Sequence, residues 1–580
     1  MYETLKELIN EEKWESANLE FEQCISDLAQ EGRSWDDEFA ILAAAVYGRK
    51  QEFEKVYDSL VRGLTYNYKN CELYLLLGTW YERMNPNQAF LCYENAEFYC
   101  DNEEDLNIIR YIKNNLLSSG RCSVAQTSIV ILSYNHLDYT KGCIHSIKMN
   151  NPETAYELII VDNNSTDGSQ DWLQKQKDIK LLCNGENKGF PAGCNQGIKM
   201  AEPENDIFLL NNDTVLTSNA LFWLRMGLYE SERVGAAGSV TNYAANNQMI
   251  GESYDTLEEY IAYGIKNNIP AKNPYEKKLF LVGFAVLIRR RALDEVGLLD
   301  LRFSPGFYED NDLGLRLLRA GWQQLLCWNS FIYHYGSGGG DHTEKWNSLY
   351  QGNALKLADK WKFNMDYYRA RRDELIDLIT DDNDAAPVVL EVGCGLGATL
   401  ARIQYLWPKA TVRGIELVER VAQLGAGYLD IIQGDIETME LPYERESLDY
   451  IILGDVLEHL RDPWKILERL KPYLKEQGCF LCSLPNMLHV SAIGPLLQGR
   501  FDYKDSGIQD RSHLRFFTLN SICQLCSSCG LEIEAVSGTT LNSQDDNDLR
   551  IVEEICDIPG VAPQEMFMIY QYIFRARKIG

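Results

Sequence analysis

The sequence has no uninterrupted apolar run of about 18 residues, the length that a membrane-spanning helix needs. Residues 1–7 have neither a basic start nor an apolar stretch, so no secretory signal peptide is predicted. Basic residues are scarce, because 56 Lys and Arg stand against 85 Asp and Glu, a net charge of −29. A surface with this charge repels nucleic acid and anionic lipid, and neither is expected as a partner.

The 16 cysteines are scattered along the chain and form no disulfide framework. Reduced thiols of this kind favour a cytoplasmic location. Cys523, Cys526 and Cys529 lie close together, at a spacing that a metal site also uses. The apolar residues around them recur at helical spacing, and Gly530 follows them. We favour a helix over a metal site, since a fourth nearby cysteine is missing.

A chain of 580 residues exceeds one hydrophobic core, because ordinary domains hold about 100–200 residues. Residues 1–121 carry apolar positions at helical spacing and few turn signals, which predicts a helical region. Small and aromatic residues around Gly78 and Tyr93 resemble a tetratricopeptide repeat, in which small residues let paired helices approach. Two interpretations stay open: a surface that docks a protein partner, or a helical cap on the next domain.

Short apolar runs alternate with helical patterns in residues 122–365 and again in residues 384–580. The strand-like runs are residues 127–132, 157–161, 179–183, 207–210, 388–392, 411–415, 448–453, 480–484 and 566–574. This alternation predicts two parallel sheets covered by helices on both faces, with functional groups at the carboxyl ends of the strands. Residues 366–383 are charged, break the pattern and predict a linker.

Polar clusters follow the strands of the first series. They contain Asn135, Asp162, Gly189, Asn195, Asn212, Asp213, Glu309, Asp310 and His334. Any one cluster fits an ordinary loop, since Asn, Asp and Gly crowd turns for local reasons. Together and in this order, the clusters resemble the inverting family 2 glycosyltransferases of the GT-A fold. Within that group they are most similar to the rhamnosyltransferase-type branch that builds bacterial surface glycans.

The resemblance implies a nucleotide-sugar site that is formed by Asn135, Asp162, Gly189, Asn195 and Asn212. Asp162 corresponds to the carboxylate that accepts hydrogen bonds from the base or ribose, and Gly189 permits close backbone approach. Asp213 ends the metal-binding motif of the family, which here retains one carboxylate. His334 matches the histidine that often completes the coordination, and these two ligands suit Mg²⁺ or Mn²⁺.

The resemblance also implies a catalytic base at Asp310, with Glu309 as its partner, because inversion requires a group that takes the acceptor's proton. The pair precedes an amphipathic segment that ends at Gly321. Helix capping is the alternative, and Asp312 suits that role better than Asp310. His136 has no strong counterpart in the family, and we interpret it as an ordinary loop histidine.

Residues 388–397 combine a buried strand with a glycine loop at Gly393, Gly395 and Gly397. A dinucleotide site has a different glycine spacing, and Glu391 before this loop suits a cationic ligand instead. The motif resembles class I S-adenosylmethionine-dependent methyltransferases. The resemblance implies a cofactor site that is formed by Glu391, Gly393, Gly395, Gly397, Glu416, Asp435 and Asp455. In it, Glu416 binds the ribose hydroxyls, Asp435 binds the adenine amine and Asp455 faces the methyl group.

The methyl acceptor is less defined by the sequence. His513 lies in a segment that resembles small-molecule and sugar methyltransferases of this class, and His459 follows Asp455. Methylation of a hydroxyl oxygen needs a base, and we favour His513 for it. His459 and a solvent- or metal-assisted route stay open.

The combined pattern predicts a multidomain chain with a helical, tetratricopeptide-like region, an α/β GT-A domain, a linker and a Rossmann-like α/β methyltransferase domain. We expect it to transfer a sugar to a bacterial surface glycan or a glycoprotein such as flagellin, and to methylate a sugar hydroxyl. The resemblance implies dTDP-rhamnose or a similar deoxysugar as donor, while UDP- and GDP-sugars stay open. The alternative is a scaffold with one degenerate catalytic domain, which the single carboxylate at Asp213 favours and the complete Glu309–Asp310 pair opposes.

Overall fold

The computed structural model describes residues 2–336, 344–541 and 546–579. The chain divides into two compact units, Met1–Trp361 and Lys362–Gly580, and each is described by itself. Among the helices of these residues, none combines the length and the apolar character that crossing a membrane requires.

The first unit begins with helices only, as predicted for residues 1–121. They are α1 (Glu3–Asn10), α2 (Trp14–Gln30), α3 (Asp37–Arg49), α4 (Phe53–Tyr66), α5 (Cys71–Glu82), α6 (Pro86–Tyr99) and α7 (Glu103–Ser118). Asn70, Asn85 and Asn102 begin three of these helices, because their side chains accept hydrogen bonds from N–H groups of the first turn. Helices α5 and α6 meet at Gly78, where the Tyr93 ring fills the space of a Cβ atom. Their identity as a tetratricopeptide repeat stays a prediction.

A mixed sheet with surrounding helices follows in the first unit. Its strands are β1 (Thr127–Ser133), β2 (Tyr156–Asp162), β3 (Lys180–Cys183), β4 (Asp206–Asn211), β5 (Thr214–Leu216), β6 (Val234–Val240), β7 (Tyr275–Lys277), β8 (Ala285–Ile288) and β9 (Gln323–His334). Its helices are α8 (Leu137–Asn150), α9 (Ser169–Leu173), α10 (Phe190–Met200), α11 (Ala220–Leu228), α12 (Leu257–Asn267), α13 (Arg290–Val296), α14 (Glu309–Arg319) and α15 (Glu344–Trp361). The strand order is β3-β2-β1-β4-β8-β6-β9-β5, with β7 paired to β9. Strands β1 to β4 run parallel, as predicted.

Alternation along the central strands explains why this sheet is covered on both faces. Ile129 and Ile131 of β1 pack into one hydrophobic cluster, whereas Val130 packs into another. Successive side chains of a strand point to opposite faces, so a strand that is apolar throughout needs a core on each side. The sheet therefore has its core in two layers, which leaves the strand ends for polar residues.

The helical region packs on α11 of the same unit. Asn219, directly before α11, accepts a hydrogen bond from the Tyr99 hydroxyl (2.9 Å) and donates one to the Tyr74 hydroxyl (2.9 Å). The Gln88 side chain donates to the Met226 carbonyl oxygen at 2.9 Å. These buried polar contacts support the interpretation as a helical cap, and docking of a protein partner stays a prediction.

The second unit contains a sheet with two antiparallel strands at one edge. Its strands are β10 (Val388–Val392), β11 (Thr411–Glu416), β12 (Asp430–Gln433), β13 (Leu448–Gly454), β14 (Leu474–Pro485), β15 (Leu531–Thr539) and β16 (Gln571–Lys578). Its helices are α16 (Met365–Tyr368), α17 (Asp373–Ile376), α18 (Ala398–Leu406), α19 (Glu419–Gly425), α20 (Pro463–Leu470), α21 (Val490–Leu497), α22 (Leu519–Ser528), α23 (Asp546–Cys556) and α24 (Gln564–Met568). The strand order is β12-β11-β10-β13-β14-β16-β15. The first five strands in this order pair in parallel. The predicted α/β fold class is confirmed in both units.

Parts of the second unit differ from the sequence-based expectation. Residues 366–383, predicted as a linker, contain α16 and α17, and Leu375 and Ile376 are buried in the core beside Val389. The few apolar side chains of this segment are enough to pack it on the sheet, although its charge pattern is typical of a loop. Residues 566–574, predicted as one strand, contain the end of α24 and the start of β16. Strands β12 and β15 were not predicted.

The cysteine cluster lies on and just after helix α22, in agreement with the interpretation as a helix. Cys526 and Cys529 are buried, whereas Cys523 is exposed. Gly530 follows with a φ of 65°, the left-handed conformation that commonly ends a helix. The thiols therefore point to different environments.

Candidate functional sites

The polar loops of the first unit meet because strands β1, β2 and β4 end side by side. In the sheet register, Ser133 pairs with Asp162, and Leu132 pairs with Asn211. Parallel neighbouring strands share one carboxyl edge, so the loops that follow them converge there. This edge carries most of the predicted donor-binding residues.

Asp162 ends strand β2 and is fully buried. One carboxylate oxygen accepts hydrogen bonds from the Ser165 N–H (2.9 Å) and the Gln170 side chain (2.6 Å). The other oxygen has no hydrogen-bond partner among the described residues. A buried acceptor without a donor is unfavourable, and a ligand that brings an N–H or O–H group would satisfy it.

Asn135 and Asn212 hold neighbouring loops together. Asn135 has a left-handed backbone (φ 56°), and its side-chain oxygen accepts a hydrogen bond from the Thr166 N–H at 2.9 Å. The Asn212 side chain donates to the Thr140 hydroxyl at 3.0 Å. Both residues lie in the predicted loops, and their contacts link those loops to the neighbouring segments.

Two other predicted donor-binding residues contact the protein itself. Both polar groups of the Asn195 side chain bond to the backbone of Leu299, at 2.8 Å and 3.0 Å. Gly189 has a φ of 79°, and a Cβ atom there would lie 2.7 Å from the Cα atom of Pro305. The close approach at Gly189 is therefore to Pro305. In the structure these groups stabilise the loop before α14, and their part in nucleotide binding stays a prediction.

Asn163 is a site residue that sequence reasoning missed. Its side-chain oxygen accepts hydrogen bonds from the Lys188 N–H (3.0 Å) and the Asn184 side chain (3.1 Å). Its side-chain nitrogen donates to Asn187 at 2.8 Å. Asn163 thus fixes the loop after β2 against the loop after β3, and its place beside Asp162 was the available signal.

Asp213 and His334 lie together, both buried. The His334 Nδ1 atom is 2.8 Å from the Tyr243 carbonyl oxygen, and its Nε2 atom is 3.3 Å from an Asp213 carboxylate oxygen. Because a carbonyl oxygen only accepts, Nδ1 donates to it, and Nε2 is directed at the carboxylate. The Asn211 side-chain nitrogen also lies 3.5 Å from Nε2. One imidazole nitrogen beside one carboxylate oxygen forms a donor set that fits a divalent cation.

The predicted acidic pair begins helix α14. Asp310 is partly exposed, and its carboxylate accepts hydrogen bonds from the Gly283 N–H (3.1 Å) and the Asn311 N–H (2.8 Å). Glu309 is buried, and one of its oxygens has no partner within the described part of the chain. Burial, and then the charge of Asp310, raise the pKa of Glu309 well above its ordinary value. Burial therefore favours the protonated form of Glu309 near neutral pH.

The backbone before the acidic pair is strained. Phe307 and Tyr308 have φ values of 75° and 72°, a conformation that bulky residues rarely adopt. Tyr308, not an acidic residue, occupies the cap position of α14. The carboxylate of Asp312 is fully buried and binds the side chains of Arg316 (2.8 Å) and Lys360 (2.6 Å). The interpretation of Asp312 as a helix cap was wrong, because this residue lies one turn inside α14.

Gly283 and Phe284 connect the acidic pair with the candidate metal ligands. The Gly283 N–H donates to Asp310, and the next residue, Phe284, stacks on the His334 ring at a centroid distance of 5.1 Å. The Phe284 carbonyl oxygen also accepts a hydrogen bond from the Asn211 N–H at 2.8 Å. Asp310 therefore contacts the first residue of this dipeptide, and His334 contacts the second.

A cavity of about 630 Å³ opens at the carboxyl ends of the parallel strands in the second unit. The predicted residues that line it are Glu391, Gly393, Gly395, Glu416, Asp435 and Asp455. Gly397 does not line it; a Cβ atom there would collide with the side chains of Leu429 and Ile431 at 2.8 Å. Gly397 thus allows the helix after the loop to pack on the neighbouring segment, a role that the sequence pattern does not separate from ligand binding.

Two of the acidic residues that line the cavity are the glutamates Glu391 and Glu416. Glu391 is buried, one of its oxygens has no partner among the residues described, and burial raises its pKa to about 8. Each oxygen of Glu416 accepts a backbone hydrogen bond, from Gly395 (2.9 Å) and Val418 (2.8 Å). A carboxylate oxygen has more than one lone pair, so Glu416 can still accept from a ligand. A cationic ligand would favour the ionised form of Glu391.

Asp455 is held by side chains from distant parts of the second unit. Its backbone is left-handed (φ 55°), and its carboxylate pairs with Arg372 and accepts hydrogen bonds from Ser483 (3.0 Å) and Gln571. Arg372 belongs to the segment that was predicted as a linker, and no local sequence signal indicated it. The pairing places a positive charge at the cavity, next to the end of β13.

The segment before β10 also covers the glycine loop. Gly395 has a φ of 55°, and a Cβ atom there would lie 2.6 Å from the Tyr368 carbonyl oxygen. That oxygen accepts a hydrogen bond from the Leu396 N–H at 2.9 Å. Tyr367 and Tyr368 line the cavity, so this segment contributes one of its walls.

Two family models match the chain. The glycosyl transferase family 2 model matches residues 128–297, and a methyltransferase domain model matches residues 364–536. The chain carries a family 2 glycosyltransferase domain and a methyltransferase domain. The first matched range contains Asp162 and Asp213 but ends before Glu309, Asp310 and His334, whereas the second contains all residues that line the cavity.

Individual relatives cover one part of the chain each. The chain is 26% identical to N-acetylglucosaminyl-diphospho-decaprenol L-rhamnosyltransferase of Mycobacterium tuberculosis, over 36% of this chain and 76% of that protein. It is 24% identical to demethylmenaquinone methyltransferase of Bacillus cytotoxicus, over 30% of this chain and 84% of that protein. The crystal structure of GalNAc-T7 with UDP, GalNAc and Mn²⁺ matches at 16% identity and a TM-score of 0.34, over 45% of this chain and 52% of that chain. A likeness at this TM-score adds nothing to the assignment.

The two candidate bases of the methyltransferase domain lie side by side. The rings of His459 and His513 are 4.8 Å apart between centroids, in an edge-to-face arrangement. Burial, and then His513, lower the pKa of His459, which favours the neutral ring. His459 lines the cavity together with Asp455.

Proposed function

We propose that the chain is a bifunctional enzyme that transfers a sugar from a nucleotide donor and methylates a sugar hydroxyl with S-adenosylmethionine. The observation that carries the proposal is the cavity of the methyltransferase domain, which six of the seven predicted cofactor residues line. The acceptor of the sugar is a bacterial surface glycan or a glycoprotein. The rhamnosyltransferase relative supports rhamnose, or a similar deoxysugar carried by dTDP, as the donor sugar.

The glycosyltransferase domain offers the groups that a nucleotide-sugar donor needs. Asp162 has a buried oxygen ready to accept a hydrogen bond from the base or ribose. Asp213 and His334 would hold a divalent cation, whose positive charge neutralises the departing diphosphate when it is bound. In a chain of net charge −29, such a local cation offsets the repulsion between protein and donor.

In the inverting transfer, Asp310 is assigned the role of catalytic base. The acceptor oxygen bonds to the anomeric carbon as the bond from that carbon to the diphosphate oxygen breaks, and the hydroxyl proton passes to the Asp310 carboxylate. The Gly283 N–H fixes the orientation of this carboxylate. Glu309 keeps its own proton and so leaves Asp310 as the base of the pair.

In the methyltransferase domain the acidic residues bind and the glycines make room. The Glu391 carboxylate attracts the cationic cofactor, Glu416 accepts from the ribose hydroxyls, and Asp435 accepts from the adenine amine. Asp455 is already paired with Arg372, so its part is to shape the cavity near the methyl group. These residue roles support a cofactor that the protein binds and orients, with the methyl acceptor at a separate position.

The full chain tests both activities at once. We expect release of dTDP from dTDP-rhamnose in the presence of an acceptor, with lower rates for UDP- and GDP-sugars. A chelator or the Asp213→Ala substitution should abolish this release. Methyl-labelled S-adenosylmethionine should label the glycosylated product. A chain with only one of the two activities would support the scaffold with a degenerate domain, and a chain with neither would refute the proposal.

A further inference from the structure

A group of potential ligands lies beside the cofactor cavity, in residues Glu458, His459 and His513. One ligand atom of each residue can be chosen so that all three lie within 4.8 Å of one another. Glu458 is 1% exposed, and neither of its carboxylate oxygens has a hydrogen-bond partner from any residue that the structure describes. A buried carboxylate without partners is strongly unfavourable, which indicates that a bound group completes this cluster.

Backbone carbonyl groups fix the tautomers of the two histidines. The His459 Nδ1 atom is 3.3 Å from the Ser512 carbonyl oxygen, and the His513 Nδ1 atom is 2.9 Å from the Ile508 carbonyl oxygen. Carbonyl oxygens only accept, so both Nδ1 atoms donate to the backbone, and the Nε2 atoms are the ring nitrogens left for a ligand. The potential ligand atoms are therefore the two Nε2 atoms and the oxygens of the Glu458 carboxylate.

A metal ion satisfies this cluster better than a proton does. A proton on Glu458 would satisfy one of the two carboxylate oxygens that lack a partner among the described residues, whereas a metal ion can bind the carboxylate and both imidazoles at once. Bonds of about 2.0–2.2 Å from a metal ion to nitrogen and oxygen place ligand atoms about 3.3–3.6 Å apart in a tetrahedral site. The three ligand atoms, which lie within 4.8 Å of one another, would therefore approach each other by up to about 1.5 Å on binding. A hydrogen bond from the second ring nitrogen to a carbonyl is also the usual support of a ligating histidine.

We propose that Glu458, His459 and His513 bind a first-row divalent transition-metal ion, such as Zn²⁺ or Mn²⁺, that holds the hydroxyl group to be methylated. Three protein ligands leave a coordination position open, as in catalytic metal sites. His459 lines the same cavity as Asp455 and Gly393, so the cluster lies next to the proposed cofactor site. The site itself stands on the cluster alone, whereas the role of its ion rests on the proposed methyl transfer.

The ion would act on the acceptor hydroxyl. Binding to the metal lowers the pKa of the hydroxyl, and its proton passes to water. The new O–CH₃ bond forms as the S–CH₃ bond of the cofactor breaks, and the sulfur keeps the electron pair. The two histidines that the sequence suggested as alternative bases are then joint ligands, and neither needs to take the proton.

The test measures ion binding directly in the full chain carrying Asp213→Ala, so that the candidate cation site of the glycosyltransferase domain does not contribute. Equilibrium dialysis with Zn²⁺, and electron paramagnetic resonance with Mn²⁺, should each show one bound ion per chain. Glu458→Gln and His513→Asn should each weaken binding by on the order of tenfold or more. The matched controls Glu532→Gln and His145→Asn remove an exposed carboxylate and an exposed imidazole, and they should leave ion binding unchanged.

Calorimetry with S-adenosylmethionine on the same proteins separates the possible failures. Because His513 is partly exposed, its variant serves where Glu458→Gln fails to fold, and cofactor binding reports folding of both. Cofactor binding without any bound ion, or equal ion affinity in His513→Asn and its control, would overturn the metal site and leave the proposed function intact. Ion binding without cofactor binding would overturn the methyl-transfer function, and with it the role of the ion, but not the site.

Discussion

Carboxylates are arranged differently in the two units. In the glycosyltransferase domain, Glu309 and Asp310 are neighbours at the start of α14, and burial, followed by the charge of Asp310, raises the pKa of Glu309. In the methyltransferase domain, Glu391 and Glu416 lie on the separate strands β10 and β11 around one cavity. Adjacent acids place a proton acceptor directly beside a second acid, which suits proton transfer, whereas acids on separate strands surround a ligand; burial raises the pKa of Glu391 as well as that of Glu309. The spacing of acidic residues, more than their number, indicates chemistry or binding.

The largest effect is expected at Asp310. Asp310→Asn should reduce sugar transfer by about 10²- to 10⁴-fold, because the substituted group no longer takes the acceptor's proton. Donor affinity, measured by calorimetry, should stay within a few-fold of wild type, since the loss falls on turnover. Glu309→Gln, which imitates the protonated acid, should reduce turnover far less.

Asp294→Asn is the matched control, because it removes an exposed carboxylate at the end of the nearby helix α13. Its turnover should equal that of wild type. If Glu309→Gln were as inactive as Asp310→Asn, the assignment of one charged and one neutral acid would have to be abandoned.

In the methyltransferase domain, Glu416→Ala should weaken cofactor binding and leave sugar transfer unchanged. The loss of hydrogen bonds to a charged acceptor costs about 1.5–3 kcal/mol, on the order of ten- to a hundredfold in affinity for S-adenosylmethionine. Calorimetry on the full chain measures it, and sugar transfer serves as the internal control. Glu416→Gln keeps one acceptor oxygen and should lose less affinity; equal affinity in wild type and Glu416→Ala would remove Glu416 from the cofactor site.

The raised pKa of Glu391 predicts a pH-dependent stability. The folded-state pKa of about 8 lies above the ordinary value of about 4.3, so the folded state holds a proton that the unfolded state releases between these values. The stabilisation is complete below about pH 4 and is lost as the pH rises to about 8, by at most about 1.4 kcal/mol per pH unit. In Glu391→Gln this loss should disappear. Melting temperatures at pH 6 and pH 8 compare the two proteins, and parallel shifts in both would contradict the prediction.

The smallest effect is expected at Asn195. Asn195→Ala leaves the Leu299 backbone without its two partners and should destabilise the first unit by about 1–3 kcal/mol. Donor affinity should not change, because the side chain contacts protein. Asn114→Ala, at an exposed position of α7, is the control for stability. A large loss of donor affinity in Asn195→Ala would restore the nucleotide contact that the sequence predicted.

The sequence predicted the parallel strands β1 to β4 because their apolar runs are a local signal, whereas strands β5 to β9 of the same sheet were not predicted. Apolar runs such as residues 127–132 and 388–392 must be buried on both faces, and the polar residues after them must gather at one edge. Strand β15 was missed although the alternation of apolar and charged residues at its start, Leu531–Glu534, is a signal of a half-buried strand. Asp312 was misread because its partner Lys360 lies far along the chain, and only the folded structure brings them together.

Within the sites, carboxylates were easier to predict than amides and glycines. Asp162 and Glu391 each keep a buried oxygen without a partner, as a ligand-binding acid would. An amide such as Asn195 both donates and accepts, so it can satisfy a backbone segment as readily as a ligand. Gly393 and Gly397 have the same local pattern and differ only in what packs against them. Such differences are set by tertiary contacts.

The carbonyl of Tyr368 against Gly395 has a practical consequence for dissecting the enzyme. A fragment that starts at residue 384 would lack α16 and α17, and with them Arg372 and one wall of the cavity. Its failure to take up cofactor would then reflect the cut and not the catalytic residues. Separation of the two activities should instead use a boundary before residue 362, which leaves Tyr368 over the glycine loop.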